Sequence, residues 1–306
     1  MADDKDTAPR RKRTEADISA SLARAKARGK AVAAPVELPG DLMKPDQPSN
    51  VAKLPAWSDT VRGVPNAALR SALFGAIKRG KRAYQDGVKK ASVDGVTVIH
   101  TGPQLDQADL EVWEHCIELA RKNGLGEKIH FGLGYFLTDI GRSTGGKDSE
   151  WLKGSLRRLS ASVVEITDGK KTYWGSMIYR GVRDEETGKH VIEVNPDIAK
   201  LYGTDGWTAI ERSVRTALKG QPLAQWLHGF YASHARPYPM KVETLHKLCG
   251  SENKQLAGFR RELAGALKRL AEVTGWTWDI DEADLVHVIK KPSNSQARHI
   301  ARKKAA

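Results

Sequence analysis

The stretch KQLAGFRRELAGALKRLAEVT, residues 254–274, decides how this chain is read. Projected at about 100° per residue, Leu256, Phe259, Leu263, Leu267 and Leu270 fall on one narrow face, as in a helix with one side against a core. Lys254, Ala257, Gly258, Arg261, Gly265 and Lys268 fall opposite, so the outer stripe is basic and interrupted by very small residues. Small side chains let a helix backbone sink into the major groove of DNA, where Arg and Lys reach guanine edges or phosphates. Gln255 heads the same helix and joins this DNA-binding set. Arg260 and Arg269 flank the stripe and are placed as phosphate clamps rather than base readers. A basic stripe alone is equally an ordinary solvated face, so the surrounding segments must decide.

Upstream lie an amphipathic helix, QPLAQWLHGFYASHA (221–235), a short helix, PMKVETLHKLCG (239–250), and a turn at SEN (251–253). Downstream, WTWDI (276–280) and LVHVIK (285–290) read as paired strands. Helix, helix, tight turn, helix, β-hairpin is the order of a winged helix-turn-helix, the context in which a basic stripe faces DNA.

The same order occurs earlier. QLDQADLEVWEHCIELARKNG (104–124) has Leu110, Trp113, Ile117 and Ala120 at helical spacing, with Gly124 as its stop. A short helix (Tyr135 to Ile140), a glycine-rich stretch, a helix (Asp148 to Ser160) and strands in 163–181 and 190–195 follow, with Asp168-Gly169 as a hairpin turn. LKGSLRRL (152–159) and LAGALKRL (263–270) form a short internal repeat in the third helix of each unit. The first copy offers Lys153 and Arg157 as auxiliary DNA contacts, but Asp148 and Glu150 make its helix less basic. Ahead of it, Pro65 suits the first turn of a helix through Leu69, Leu73 and Phe74, and VDGVTVIH (93–100) reads as a strand.

The expected fold is α+β: two tandem winged helix-turn-helix domains with flexible basic tails. The first domain is expected at 54–200, for dimerisation and auxiliary DNA contact, and the second at 201–291, for specific DNA binding. Residues 1–53, including RRKR (Arg10 to Arg13), have too few large apolar residues to order, and 292–306 form a basic C-terminal tail suited to phosphates.

Gly141, then four residues, then Gly146-Lys147 lies one position short of a nucleotide-binding P-loop. The next residue should be Ser or Thr, to hold Mg²⁺, but it is Asp148, whose charge opposes phosphate at a helix start. The glycines are better read as the turn of the first helix-turn-helix, with Asp148 favouring the positive end of the next helix.

The formal charge of +13 over 306 residues suggests a polyanionic partner, nucleic acid first and an anionic membrane surface second. There is no run of about 18 apolar residues and no signal-peptide core, which points to the cytosol. Cys116 and Cys249 read as buried thiols, and no metal, cofactor or catalytic group is expected. His115 sits in an apolar helical pattern as a packed or surface residue. Trp151, Trp174, Trp207, Trp226 and Trp276 read as packing residues rather than base-stacking platforms.

Two blocks carry a family resemblance. LPAWSDTVRGVPNAALRSALF (54–74) has a tryptophan, a DT-R-PN pattern and RSALF; FYASHARPYPMKVETLHKLCGS (230–251) has an SH-R-PYP-K-ET pattern leading into CGS. Together they resemble the TrfA family of plasmid replication initiators, over about Leu54 to Lys290. The resemblance implies two tandem winged helices and a non-enzymatic protein. Such a protein would bind iterons, direct repeats of double-stranded DNA at the plasmid origin, promote opening of adjacent AT-rich DNA, and recruit the host replicative helicase with host DnaA. It also implies a homodimer, supported by the first winged helix, in equilibrium with an active monomer. Family members can carry a glutamine-leucine-x-leucine-phenylalanine motif for the sliding clamp ahead of the tryptophan; here that region reads DQPSNVAKLPAW (46–57), which puts clamp binding in doubt. QLAGF (255–259) mimics the motif, but its Leu256 and Phe259 are assigned to the core face. A winged-helix transcriptional or partition repressor and a P-loop ATPase stand as alternatives.

Overall fold

A computed structural model describes residues 53–305 other than 79, 81, 94, 168–171, 185, 187, 204 and 205. The expected tail up to residue 52, with its RRKR cluster, and the Asp168-Gly169 turn lie outside the described residues.

The helix expected from Pro65 through Phe74 is not formed as such. Strand β1 (Val61–Pro65) leads into a single turn, α1 (Asn66–Leu69), and the chain then runs out to β2 (Phe74–Gly75). Leu69, Leu73 and Phe74 are all buried, but their neighbours' backbone groups bond elsewhere. The Ala72 amide donates to the Ala91 carbonyl (2.8 Å), and Gln107 Nε2 donates to the Phe74 carbonyl (2.7 Å). Helical spacing here reported burial, while the partners for the backbone came from the chain just past β3 and from a helix side chain.

Strands β3 (Tyr84–Lys90), β4 (Thr97–Pro103) and β5 (Leu105–Asp106) precede helix α2 (Gln107–Asn123). The Asp106 carboxylate accepts from the Ala108 and Asp109 amides, and Asp109 returns a bond to the Asp106 amide, a closed capping box. Gly124 ends the helix at φ 108°. After β6 (Ile129–Gly132) come α3 (Leu133–Asp139) and α4 (Gly146–Ala161), then β7 (Val163–Thr167), β8 (Thr172–Ser176), β9 (Arg180–Arg183), β10 (Lys189–Glu193) and a 3₁₀ turn at Pro196–Tyr202. Two antiparallel sheets result, in the orders β3-β4-β7-β8 and β6-β10-β9. Trp174 on β8 was expected to pack inside; it is 74% exposed, because alternation along the strand turns Tyr173 inward and its neighbour out.

Strand β11 (Trp207–Glu211) pairs antiparallel with β1, so strand pairing crosses residue 200. Beyond it lie α5 (Arg212–Ala217), α6 (Pro222–Ala232), β12 (Met240–Lys241), α7 (Val242–Leu248), α8 (Leu256–Thr274), β13 (Thr277–Ile280), β14 (Leu285–Ile289) and α9 (Asn294–Ala305). The third sheet has the order β12-β14-β13. The C-terminal tail expected to be flexible is therefore a helix. Gln296 pins it, donating to the Ala232 carbonyl (2.7 Å) and accepting from Lys290 Nζ (2.8 Å) and the Ser293 amide (3.1 Å).

Two hydrophobic cores form, one from Val64 to Ile210 and one from Val214 to Val288. They abut closely. A Cβ at Gly229 of α6 would come within 2.8 Å of Leu69, and the Ala76 amide donates to the Cys249 carbonyl (2.7 Å) in the turn that feeds α8. Gly250, at φ 63° in that turn, would meet Ala72 at 3.2 Å if it carried a Cβ. Arg215 of α5 reaches Gln107 of α2 (2.8 Å). Cys116 and Cys249 are buried free thiols, and burial pushes Cys249 up to about 12.

Candidate nucleic-acid interface

Helix α8 owes its position to Phe259, Leu263, Leu267 and Leu270, all buried, each contributing roughly 2 kcal/mol of apolar burial. Phe259 meets the His246 ring of α7 edge-on at 4.7 Å, and His246 Nε2 lies 2.7 Å from the Asn253 carbonyl, fastening the turn between the two helices. Leu256 departs from expectation. It is 42% exposed, because at the first position of α8 it precedes the level at which Phe259 seals the helix pair. Phe259 itself is wholly buried, so QLAGF does not present its two apolar side chains together to a partner.

Opposite that face the expected stripe is present. Lys254, Gln255, Ala257, Arg261, Gly265 and Lys268 are exposed, and among the described residues the Lys254, Arg261 and Lys268 side chains have no ion-pair or hydrogen-bond partner. Gly265 faces open space, while Gly258 rests over the Asn253 side chain, 3.0 Å from where its Cβ would be. The two flanking arginines are engaged. Arg260 Nε donates to Asp284 Oδ1 at 2.7 Å, whereas Arg269 bonds Glu272 (3.1 Å) and the Ala217 carbonyl (3.2 Å). Arg269 therefore ties α8 to α5 rather than standing free as a phosphate clamp.

The β13–β14 hairpin beside α8 carries Asp279, Asp281, Glu282 and Asp284 near its tip. The hydrogen bond from His287 (2.9 Å) holds Asp281 below the usual carboxylate range. Such a tip would repel a phosphate backbone, which leaves the helix as the electrostatically favourable side for a polyanion. The sequence shows these acids plainly, but only the fold sets them beside the basic stripe.

In the first half, the glycine stretch is a turn between α3 and α4, with Gly141 at φ 65°. Asp148 lies in the first turn of α4, hydrogen-bonded by Ser143 and by Arg142 (3.3 Å), and these bonds hold its carboxyl below the usual range. Arg142 stacks over Trp151 at 3.5 Å, and Lys219 caps the Ile140 and Gly141 carbonyls at 2.9 and 2.8 Å. The internal repeat superposes in burial as well as in letters. Leu152, Leu156 and Leu159 are buried like Leu263, Leu267 and Leu270, Arg157 points out like Lys268, and Arg158 is tied back like Arg269. Lys153, expected to be exposed, is half-buried against Glu150 (2.7 Å), because the salt bridge draws it along α4. Arg157 is thus the freer cation of this helix.

Among the described residues, no cluster of three or more His, Cys, Asp and Glu could hold a metal, and no helix is long and apolar enough to cross a membrane.

The profile of the TrfA protein family matches residues 21–290. The chain belongs to the TrfA family. The plasmid replication initiator protein TrfA of Escherichia coli is 28% identical over 244 residues, which cover 76% of this chain and 62% of that protein, so this TrfA-family chain spans under two thirds of the relative's length. Among solved structures, domains 2 and 3 of RctB match with a TM-score of 0.51 at 13% identity, over 74% of this chain and 98% of that one, a likeness of fold. The Pi initiator protein in complex with iteron DNA matches over 59% of this chain and 91% of that one, at 10% identity and a TM-score of 0.44, too distant to bear on this chain. Helix α9 lies beyond the matched residues.

Proposed function

We propose that this chain initiates plasmid replication by binding iterons, directly repeated duplex sites at an origin. Its two halves act as tandem winged helix-turn-helix domains, the second (201–291) specifying the repeat through α8. The observation that carries the reading is the row of unpartnered cations formed by Lys254, in the turn just ahead of α8, and Arg261 and Lys268 on it, beside Gly258 and Gly265, with the other face of the helix locked into the core. Lys254 and Arg261 reach base edges, Gln255 and Ala257 lie against the groove floor, and Lys268 neutralises phosphate.

The first half (54–200) adds backbone grip through Arg157, with Lys153 behind it, and supports a homodimer that gives way to an active monomer. Helix α9 and the basic residues around it add attraction that does not depend on sequence. Opening of neighbouring AT-rich DNA and recruitment of the replicative helicase with host DnaA rest on family membership. The work is done by binding energy, with no covalent step, cofactor or metal.

The test is a mobility shift with the purified chain and the DNA flanking its own gene. Short direct repeats spaced near whole helical turns should shift, and Arg261→Ala should narrow the preference for them over unrelated duplex. A shift confined to an inverted repeat would replace this reading with that of a repressor.

A further inference from the structure

We propose that Asp284 is a positioning residue that aims Arg260 at a guanine, making Arg260 a base reader rather than a phosphate clamp. This rests on the DNA-reading role proposed for α8. The contact is made by Nε alone, 2.7 Å from Asp284 Oδ1, and Nη1 and Nη2 have no partner among the described residues. A guanidinium held by Nε keeps its two terminal N–H groups side by side and outward, the arrangement that pairs with O6 and N7 of guanine.

The backbone that carries the carboxylate is itself fixed. Asp284 has φ 57°, the one positive value at a non-glycine among the described residues, and its backbone is bonded on both sides. Its amide donates to the Asp281 carbonyl (3.1 Å), and its carbonyl accepts from the Val242 amide at the start of α7 (2.9 Å). Asp281 Oδ1 in turn accepts from the Ala283 and Leu285 amides at 2.9 Å. One residue thus ties the hairpin tip to α7 and, through its side chain, to α8. An arginine ordered beforehand loses less freedom on docking than one recruited from solvent.

Charge alone predicts the opposite effect of removing Asp284, since losing a carboxylate beside DNA strengthens binding to any duplex. The experiment uses the full chain, with Asp284→Gly, Asp284→Asn and Arg260→Ala. Gly and Asn both accept a positive φ, and Asn keeps an acceptor oxygen. Duplexes are selected from a randomised library by the parent chain, and affinity is then measured for each single base-pair change and for unrelated duplex.

The expected result is one guanine whose replacement costs the parent about 5- to 150-fold. Arg260→Ala and Asp284→Gly should lose that discrimination, Asp284→Asn should keep most of it, and other positions should be unaffected. Asp284→Gly should bind unrelated duplex at least as tightly as the parent, and 7-deazaguanine at the position, which removes N7 but keeps O6, should cost the parent part of what a base change costs. Unaltered discrimination in Asp284→Gly, or a loss spread evenly over all positions, overturns the proposal while leaving the proposed function standing. A parent chain without any sequence preference overturns both. If Asp284→Gly does not fold, Arg260→Ala decides: loss at one guanine supports the proposal, and uniform loss overturns it.

Discussion

Arg158 of α4 donates to both oxygens of the wholly buried Asp109 carboxylate on α2, with Nη2 at 2.7 Å and Nε at 3.2 Å. Ser155 adds a bond at 2.6 Å. The pair clamps the third helix of the first half to the first, so the second arginine of LKGSLRRL is spent inside the protein.

Arg158→Ala should cost about 3 kcal/mol, because it strands a buried carboxylate. Urea unfolding of the variant measures it. Arg157→Ala, one residue away on the exposed side, should leave the unfolding midpoint within about 0.5 kcal/mol of the parent.

Lys254→Ala and Arg261→Ala should each weaken binding to a cognate repeat by roughly 1–3 kcal/mol where the side chain makes a base contact. Lys268→Ala should weaken all duplexes alike and lower the slope of log affinity against log salt by about 1. Titrations at several salt concentrations separate the two behaviours.

Three buried histidines and the half-buried His234 set a pH dependence. Burial lowers His100, His115 and His234 to about 4 and His228 to about 3. Between those values and about pH 6.5 the unfolded chain binds the protons that the folded chain refuses. Their stabilisation is therefore complete above about pH 6.5 and is lost as pH falls, by up to about 1.4 kcal/mol per pH unit for each histidine. Burial raises the carboxyls of Asp109 and Glu114, which opposes the trend but is outnumbered. The unfolding temperature should be level near neutrality and fall steeply toward pH 4, as calorimetry would show.

Gly63→Ala should destabilise the protein by about 1–3 kcal/mol. Its Cβ would enter the Trp57 ring at 2.5 Å, and that ring cannot retreat easily, since it stacks with Tyr202 at 6.0 Å and bonds Glu118 through Nε1 at 2.7 Å. Thermal unfolding of the variant measures the shift.

The third helix of each half was legible because its apolar period is long and regular, and the repeat marked both copies. The basic stripe on α8 followed from the same projection. What stayed hidden has a common cause. The run from Pro65 to Phe74 has helical spacing, but its backbone partners, Ala91 and Gln107, lie elsewhere in the chain. Strands β1, β6, β9 and β11 are four or five residues long, too short for a period to show, so their partners define them. At the site, the projection separated inside from outside but could not tell a free cation from an occupied one. Arg260, Arg269 and Lys153 look like Arg261 and Lys268 in sequence, and differ because Asp284, Ala217 and Glu150 happen to reach them.

The bond from the Ala76 amide to the Cys249 carbonyl, with Gly250 seated on Ala72, gives the C-terminal half a footing it does not build for itself. A fragment starting at residue 212 would keep the leucine face and every cation of α8, yet lose the shelf under the turn that feeds that helix. The seat of α8 is thus partly inherited from the N-terminal half, and under the DNA-reading role proposed for that helix, whatever reshapes residues 72–76 would retune recognition without touching Arg261 or Lys268.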